Sequence, residues 1–584
     1  MAADKRVRAP YNFIPLSEKV LLPYNSIEEL PPHDRMDPAL KTGEIHVSMV
    51  ADTPVFVSDG DKNEPHFFRG NNGKYMIPGS TIRGMVRENM QILGFGLMRT
   101  GEDLEDVQIY FRDFASARES VGDPLKEYYR AALGIKQVPM LSGKPKAIPQ
   151  LVKAGYLKKE KGKYKIYPSK RGYMLVSRDH PGVQSFGTDD ARTKSVYYRA
   201  EGDRVKEIRP AVGDRNGLWR GTLLYTGKPV KQRNRQTGRF EEHPNHLYLI
   251  PEADWSAQPL VLSEEDVLSY REDFEKRRNV LGRNRDFWNL PLEGSAKPVF
   301  YAQYEGHTYF GMSRFLRIGY RYPLSHGLPE SHRKETMKID FPRAILGYVT
   351  NDADSYKSRV SFGDFEAEGN SVEMAPVDMI LGEPKPSYYP GYVVGGKHYN
   401  DENFELRGYK QYWLKEVEPT DDNGKPRVAA TIHPLPKGTR FGGVIRYKNL
   451  TEAELGLLLW CLRLEKGSCQ TIGMAKPYGY GRMRLSIDKV YEIEPSSLYN
   501  NGSFFAPDRQ NGTSKIDAYI DKYCAYAEAC LGLPCQIRDN DILRDFFYMK
   551  RSIRRPDEMT YMDLKEYRSK EALPSVCDYR RKDK

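Results

Sequence analysis

Cysteine is scarce and badly placed for cross-linking. Cys461, Cys469, Cys524, Cys530, Cys535 and Cys577 all fall in the C-terminal quarter, and no two form a CxxC pair. That excludes a zinc knuckle and a disulfide framework and leaves reduced, partly buried thiols. Long apolar runs are missing as well. The opening MAADKRVRAPYNFIPLSEKV has none of the length that a signal peptide or membrane span needs. A cytoplasmic protein with no membrane contact is therefore expected. Internal repeats and low-complexity runs are also absent.

What is present is bulk, charge and tyrosine. A chain of 584 residues is too long for one ordinary domain. Hydrophobic residues at 39% and aromatics at 12% suffice for real cores, while a mean hydropathy of -0.67 indicates a very polar surface. The net charge of +11 favours a polyanionic partner. Forty tyrosines interleaved with basic residues suit single-stranded nucleic acid.

The stretch from His433 to Ile487 is the most ordered pattern in the chain. Arg440 to Tyr447 reads as a strand. Asn449 or Thr451 can cap the helix that follows, with Glu454 three residues after Thr451 to complete a capping box. Leu455, Leu458, Leu459 and Leu462 give that helix an apolar face. Gly473, Gly479 and Gly481 then precede an alternating strand, Met483 to Ile487. Glycines at this spacing admit positive φ and close approach by another backbone. With Lys476, Arg482 and Arg484 beside them, and Tyr478 and Tyr480 offering stacking faces, the loop suits a phosphate backbone. A tight structural turn is the competing reading.

Near the other end, Ile45, Val47 and Met49 alternate with His46 and Ser48, and Val50 to Val57 prolong the strand. An acidic loop with Asp59, Asp61, Asn63 and Glu64 follows. Tyr75-Met76-Ile77-Pro78-Gly79-Ser80-Thr81-Ile82-Arg83-Gly84-Met85-Val86-Arg87 then opens a helix, which Ser80 or Thr81 is expected to cap. Exposed N–H groups at the helix start, with Arg83 and Arg87 on one face, suit phosphate.

Between these ends, two strands around Glu160 to Lys163 form a hairpin, and Leu218 to Tyr225 and His246 to Ile250 form further strands. Ser263 starts a helix over Leu262 to Arg278. The basic loop from Lys228 to Arg239, with Lys228, Lys231, Arg233 and Arg235, is either a solvated loop or a finger along an RNA groove. His243 and His246 form an HxxH pair interrupted by Pro244, with no ready third ligand. No structural metal is expected. Two helices, Ser514 to Leu531 and Asp539 to Met549, lie near the end.

Three motifs carry a family resemblance. The Ile77-Pro78-Gly79-Ser80-Thr81-Ile82-Arg83-Gly84 segment resembles the "IPGSSLKGxxR" segment of backbone subunits in type III CRISPR effector complexes. Pro342-Arg343-Ala344-Ile345-Leu346-Gly347 with Ser358 to Asp364 resembles their "FG…GRlxfxDA" segment, and the glycine loop resembles the C-terminal half of a RAMP protein. The RAPYNFIPLSEKV opening is similar to a large single-chain RAMP subfamily. The resemblance implies an α+β fold, with a ferredoxin-like (RRM-like) RAMP core, a large mainly-β insertion and a helical C-terminal tail. Roughly 240 residues between the first two motifs exceed what a small ferredoxin-like unit needs. The implied division is an N-terminal arm at 1–42, core at 43–96, basic insertion at 97–339, core at 340–489 and a helical basic extension at 490–584.

The same resemblance implies guide-RNA binding, with complementary target RNA and other CRISPR effector subunits as partners. Ser80, Thr81, Arg83 and Arg87 would hold phosphates, with Lys476, Tyr478, Gly479, Gly481 and Arg482 opposite them across one shared groove. Family subunits that cut RNA carry an aspartate in the loop before the PGS helix. Here that position holds Asn63. Asp59, Asp61 or Glu64 would have to replace it, with Mg2+ as the cofactor of such cleavage. His46 and His66 offer the acid–base chemistry of RAMP enzymes that process precursor RNA. An RNA-binding protein outside CRISPR systems is the remaining class.

Overall fold

The computed structural model describes residues 7–61, 64–112, 124–138, 146–177, 180–184, 192–226, 230–233, 240–243, 246–281, 288–350, 354–382, 384–418, 430–495, 509–563, 566–567 and 570–583. The fold mixes helices and strands as an α+β chain does. It divides into two compact units, one made of Met1–Asp106 with Leu324–Lys584, the other of Val107–Pro323. The second unit lies within the stretch read as an insertion.

The first unit is built on a sheet around β1 (Lys41–Ala51). Its other strands are β2 (Met76–Ile77), β3 (Val360–Phe362), β4 (Phe365–Ala367), β5 (Arg440–Leu450), β6 (Gln470–Thr471), β7 (Arg482–Ile493) and β8 (Arg509–Asn511). The order across the sheet is β6-β7-β1-β5-β4-β2, with β3 also on β5 and β8 on β7. Ile45 pairs with Ile445 and Val490, and Met49 with Phe441 and Leu485. The alternation read in the sequence therefore holds, since Ile45, Val47 and Met49 are buried and His46 and Ser48 take the other face. The strand does not continue to Val57. It ends at Ala51, where the Asp52 N–H donates to Arg482 O and Pro54 has no N–H to give.

Helices α1 (Gly79–Leu93), α2 (Phe341–Leu346), α3 (Glu452–Arg463), α4 (Ile516–Leu531) and α5 (Asp541–Arg551) belong to the same unit. Of the two caps offered for α3, Thr451 is the one used, and its capping box with Glu454 is complete. Asn449 instead binds Pro32 O and Arg35 O. Every residue from Glu454 to Leu462 is buried, all round the helix, because α4 covers the side that the sheet does not. Tyr519, Ile520, Tyr523 and Ala527 of α4 share one core with Ile45, Ile82 and Leu458. The C-terminal helices are thus part of that core, since helices as apolar as α3 need cover on more than one face.

A buried ion pair ties this unit together. Arg359 Nη1 donates to Glu454 Oε2 at 2.9 Å and to Asn449 O at 2.6 Å, and its Nε donates to Ala344 O at 2.9 Å. Tyr24 donates to Glu454 Oε1 at 2.9 Å.

The second unit holds two five-stranded sheets. Lys153–Glu160 and Lys163–Pro168 form the expected hairpin, turning at Lys161 and Gly162, both at positive φ. Trp219–Thr226 and His246–Pro251 are the further strands expected there. Ser263 Oγ accepts the Asp266 N–H and caps the helix Glu264–Leu281. Among the described residues, no helix is long and apolar enough to cross a membrane.

Candidate functional site

The first two motifs meet. Pro78, and neither Ser80 nor Thr81, stands at the N-cap of α1. The Gly79 N–H donates to Asp364 Oδ1 at 2.8 Å, so a carboxylate from the interruption between β3 and β4 takes the cap's place. Ser80 is exposed and Thr81 half-buried, its N–H given to Pro78 O. Arg83 reaches Leu346 O at 2.9 Å, and Arg87 pairs with Asp103 at 2.6 Å.

Two arginines that the motif reading passed over complete this patch. Arg99 donates to Lys338 O at 2.6 Å, and its buried Nε has no partner. Arg343 pairs with Glu102 and lies 4.5 Å from the centroid of the Tyr348 ring. Burial, followed by the charges of Arg99 and Arg87, pushes the Arg343 pKa down to about 10. Four guanidiniums thus gather around three carboxylates, those of Glu102, Asp103 and the buried Asp340, whose pKa burial raises. Arg343 was visible inside the FPRAILG motif. Arg99 carried no pattern.

The glycine loop is elsewhere. It joins β6 to β7 at one edge of the sheet, whereas α1 follows β2 at the other. In the strand order the two edges stand five positions apart. The backbone connection between them runs through an intervening loop: Met474 N–H to Phe56 O, Phe68 N–H to Val57 O, then Met76 N–H to Phe68 O. Among the described residues, no hydrogen bond or ion pair joins Ser80–Arg87 directly to Gly473–Arg482. The C-terminal half of α1 approaches the loop, where Asn89 donates to Gln470 Oε1 at 3.0 Å and Glu88 acts on Lys476.

Within the loop, protein backbone occupies the space the glycines leave. A Cβ on Gly481, at φ +73°, would lie 1.9 Å from Ile472 O, and one on Gly479 would lie 2.5 Å from Glu416 O. Tyr480 is buried, and the Tyr478 hydroxyl donates to Ile380 O. Lys476 is half-buried near Glu88 and Tyr412, and burial lowers its pKa. Arg482 Nη1 donates to Lys415 O at 3.3 Å, while its buried Nε lacks a partner.

In the acidic loop, Asp59 Oδ1 accepts the Asp61 N–H and Asp61 Oδ1 accepts the Glu64 N–H, so both carboxylates shape local turns. Asn63 lies outside the described residues, as do Lys228 and Arg235. Lys231 and Arg233 lie on the strand Val230–Arg233, paired with Phe240–His243, and the placement of their side chains is likewise outside the described residues. Glu64, His66 and His433 come together, with the two imidazoles stacked at 4.3 Å between centroids. His66 Nδ1 is 2.9 Å from Glu373 Oε2, which raises the His66 pKa. His433 was readable only as the head of an ordered stretch; nothing local to it pointed at His66.

On the sheet face that carries His46 and Ser48, Arg440, Arg446, Arg484 and Lys489 are exposed. Glu44 holds Arg446 and Asp52 holds Arg484, which reduces the free charge there.

Residues 49–115 match the family model of the RAMP superfamily. The match covers 67 of the 584 residues. No curated protein matches it. Among solved structures it is similar to the crystal structure of Thermofilum pendens Csc2, at 10% identity over 74% of this chain and 89% of that one, with a TM-score of 0.15. The RAMP segment takes in the acidic loop, the PGS helix, Arg99 and Asp103. Arg343, His433 and the glycine loop lie beyond it.

Proposed function

We propose that this chain is a guide-RNA-binding subunit of a type III-like CRISPR effector ribonucleoprotein. It grips the RNA backbone, with complementary target RNA and neighbouring effector subunits as its further partners. The core is read as ferredoxin-like, with a mainly-β insertion and a helical C-terminal extension. Supporting that core, the strands β1, β4, β5 and β7 lie in the order β7-β1-β5-β4, with α1 and α3 in the two crossovers of a βαββαβ unit. The observation that carries RNA binding is the arginine patch where the PGS helix meets the FPRAILG segment. Contacts to phosphate are tolerant of sequence, as a carrier of variable guides requires.

Purified chain titrated with fluorescent single-stranded RNA should lose affinity with salt, at a log–log slope of about -0.7 per phosphate neutralised. Arg87→Ala should shrink that slope by about 0.7, while Arg440→Ala on the sheet face leaves it unchanged. A flat salt response ends this reading. Sequencing the RNA that co-purifies separates repeat-derived guides from bulk cellular RNA. A second reading, a Mg2+-dependent endoribonuclease of the same system using Asp59, Asp61 or Glu64, is favoured by the histidines gathered beside that loop. It predicts cleavage of guide-complementary RNA that Asp61→Ala abolishes.

A further inference from the structure

Beside the RNA question stands a grouping that RNA binding does not use. Glu64 Oε1 lies 4.0 Å from His66 Nε2 and 3.9 Å from His433 Nε2, and the three ligand atoms all fall within 4.8 Å of one another. Neither separation is a hydrogen bond. His433 Nε2 is buried and has no hydrogen-bond partner, a state that is costly if nothing fills it. The His66 ring is already oriented. Glu373 accepts from His66 Nδ1 at 2.9 Å and from the Phe67 N–H at 2.9 Å, so the carboxylate is held at both oxygens. With the proton on Nδ1, the Nε2 lone pair is the free one, and it is Nε2 that faces Glu64 and His433. A carboxylate behind a histidine, fixing its tautomer and raising its basicity, is how proteins prepare imidazole to ligate metal.

From this geometry we infer that Glu64, His66 and His433 form a binding site for a divalent transition-metal ion of the Zn2+ class, with at least one coordination position left open. Two imidazoles and one carboxylate favour such an ion over Mg2+ or Ca2+, which prefer all-oxygen shells. Three protein ligands leave the fourth tetrahedral position to water. Ligands about 2.0–2.1 Å from one ion at tetrahedral angles stand about 3.3 Å apart, so the two Glu64 separations close by roughly 0.6–0.7 Å on binding and the remaining one by up to about 1.5 Å. The side chains that must move can do so, since Glu64 is 72% exposed and His66 45%. The ion would pin the acidic loop to the segment leading into β5.

This inference is independent of RNA, and its test needs none. The full chain is stripped with a chelator, checked for an unchanged far-UV spectrum, and titrated with Zn2+ against a chromophoric competitor. Co2+ is then added in parallel to read ligand number from its visible absorption. The expected result is about one equivalent per chain and a four-coordinate Co2+ spectrum. Glu373→Gln should weaken affinity roughly 10–100-fold, and His66→Gln or His433→Gln by more. His66→Gln alters a half-exposed side chain, whereas that of His433 is 12% exposed, so the effect of His66→Gln remains readable even where His433→Gln lowers the yield of folded protein. Sub-stoichiometric binding by folded wild-type chain overturns the inference. So does binding that survives His66→Gln, or Mg2+ competing on equal terms with Zn2+.

Discussion

Replacing Arg359 with methionine should be among the most damaging single changes in the first unit. Both side chains of the Arg359–Glu454 pair are 1% exposed, so solvent cannot compensate for what is removed. The guanidinium serves Ala344 O from α2, Asn449 O from the end of β5, and the carboxylate that closes the capping box of α3. Methionine fills much of the volume but leaves the carboxylate with only Tyr24 and the Thr451 N–H as partners. Breaking one side of a buried pair costs about 3–5 kcal/mol. With an m-value on the order of 3 kcal/mol per M in urea, the midpoint of the transition that reports this unit falls by roughly 1 M or more. Glu454→Gln removes the charge yet keeps a residue that a capping box accepts, so its loss isolates the electrostatic share. In the double variant neither partner is charged, and the cost should fall short of the sum of the singles by at least about 1 kcal/mol. Additive singles, or an Arg359→Met loss below about 1 kcal/mol, would refute the argument that this pair joins the strand, both helices and the N-terminal segment.

Lys550 is 3% exposed, and burial lowers its pKa to about 8, against about 10.4 in an unfolded chain. Between those values the unfolded state holds the proton that the folded state has lost, so stability rises with pH across that window. Below about pH 8 the buried charge costs on the order of 3 kcal/mol. Lys550→Met should therefore raise the urea midpoint at neutral pH and flatten the rise above pH 8; a lower midpoint at neutral pH contradicts this. Gly481→Ala puts a Cβ 1.9 Å from Ile472 O at φ +73°, and should lose about 3 kcal/mol or more in a thermal melt. A wild-type melting temperature would mean that the glycine loop is shaped by something other than its own backbone.

Signals that act over a few residues were legible. The Thr451–Glu454 box, the Lys161–Gly162 turn, the Ser263 cap and the alternation of Ile45, Val47 and Met49 all depend on neighbours in sequence. The contacts that make a site do not. His66 is 307 positions from Glu373, and Arg359 is 95 from Glu454, so their pairing is a property of the tertiary fold. Some missed structure had a signal. Leu455 through Leu462 is apolar without interruption, and a helix with no polar face needs a second cover, which α4 supplies. The glycines show the opposite limit. A positive φ and an absent Cβ announce that some group must come close, but phosphate oxygen and peptide oxygen make the same demand. At Gly479 and Gly481 the oxygens belong to Glu416 and Ile472. The loop's composition could not distinguish a strand of RNA from the chain's own return.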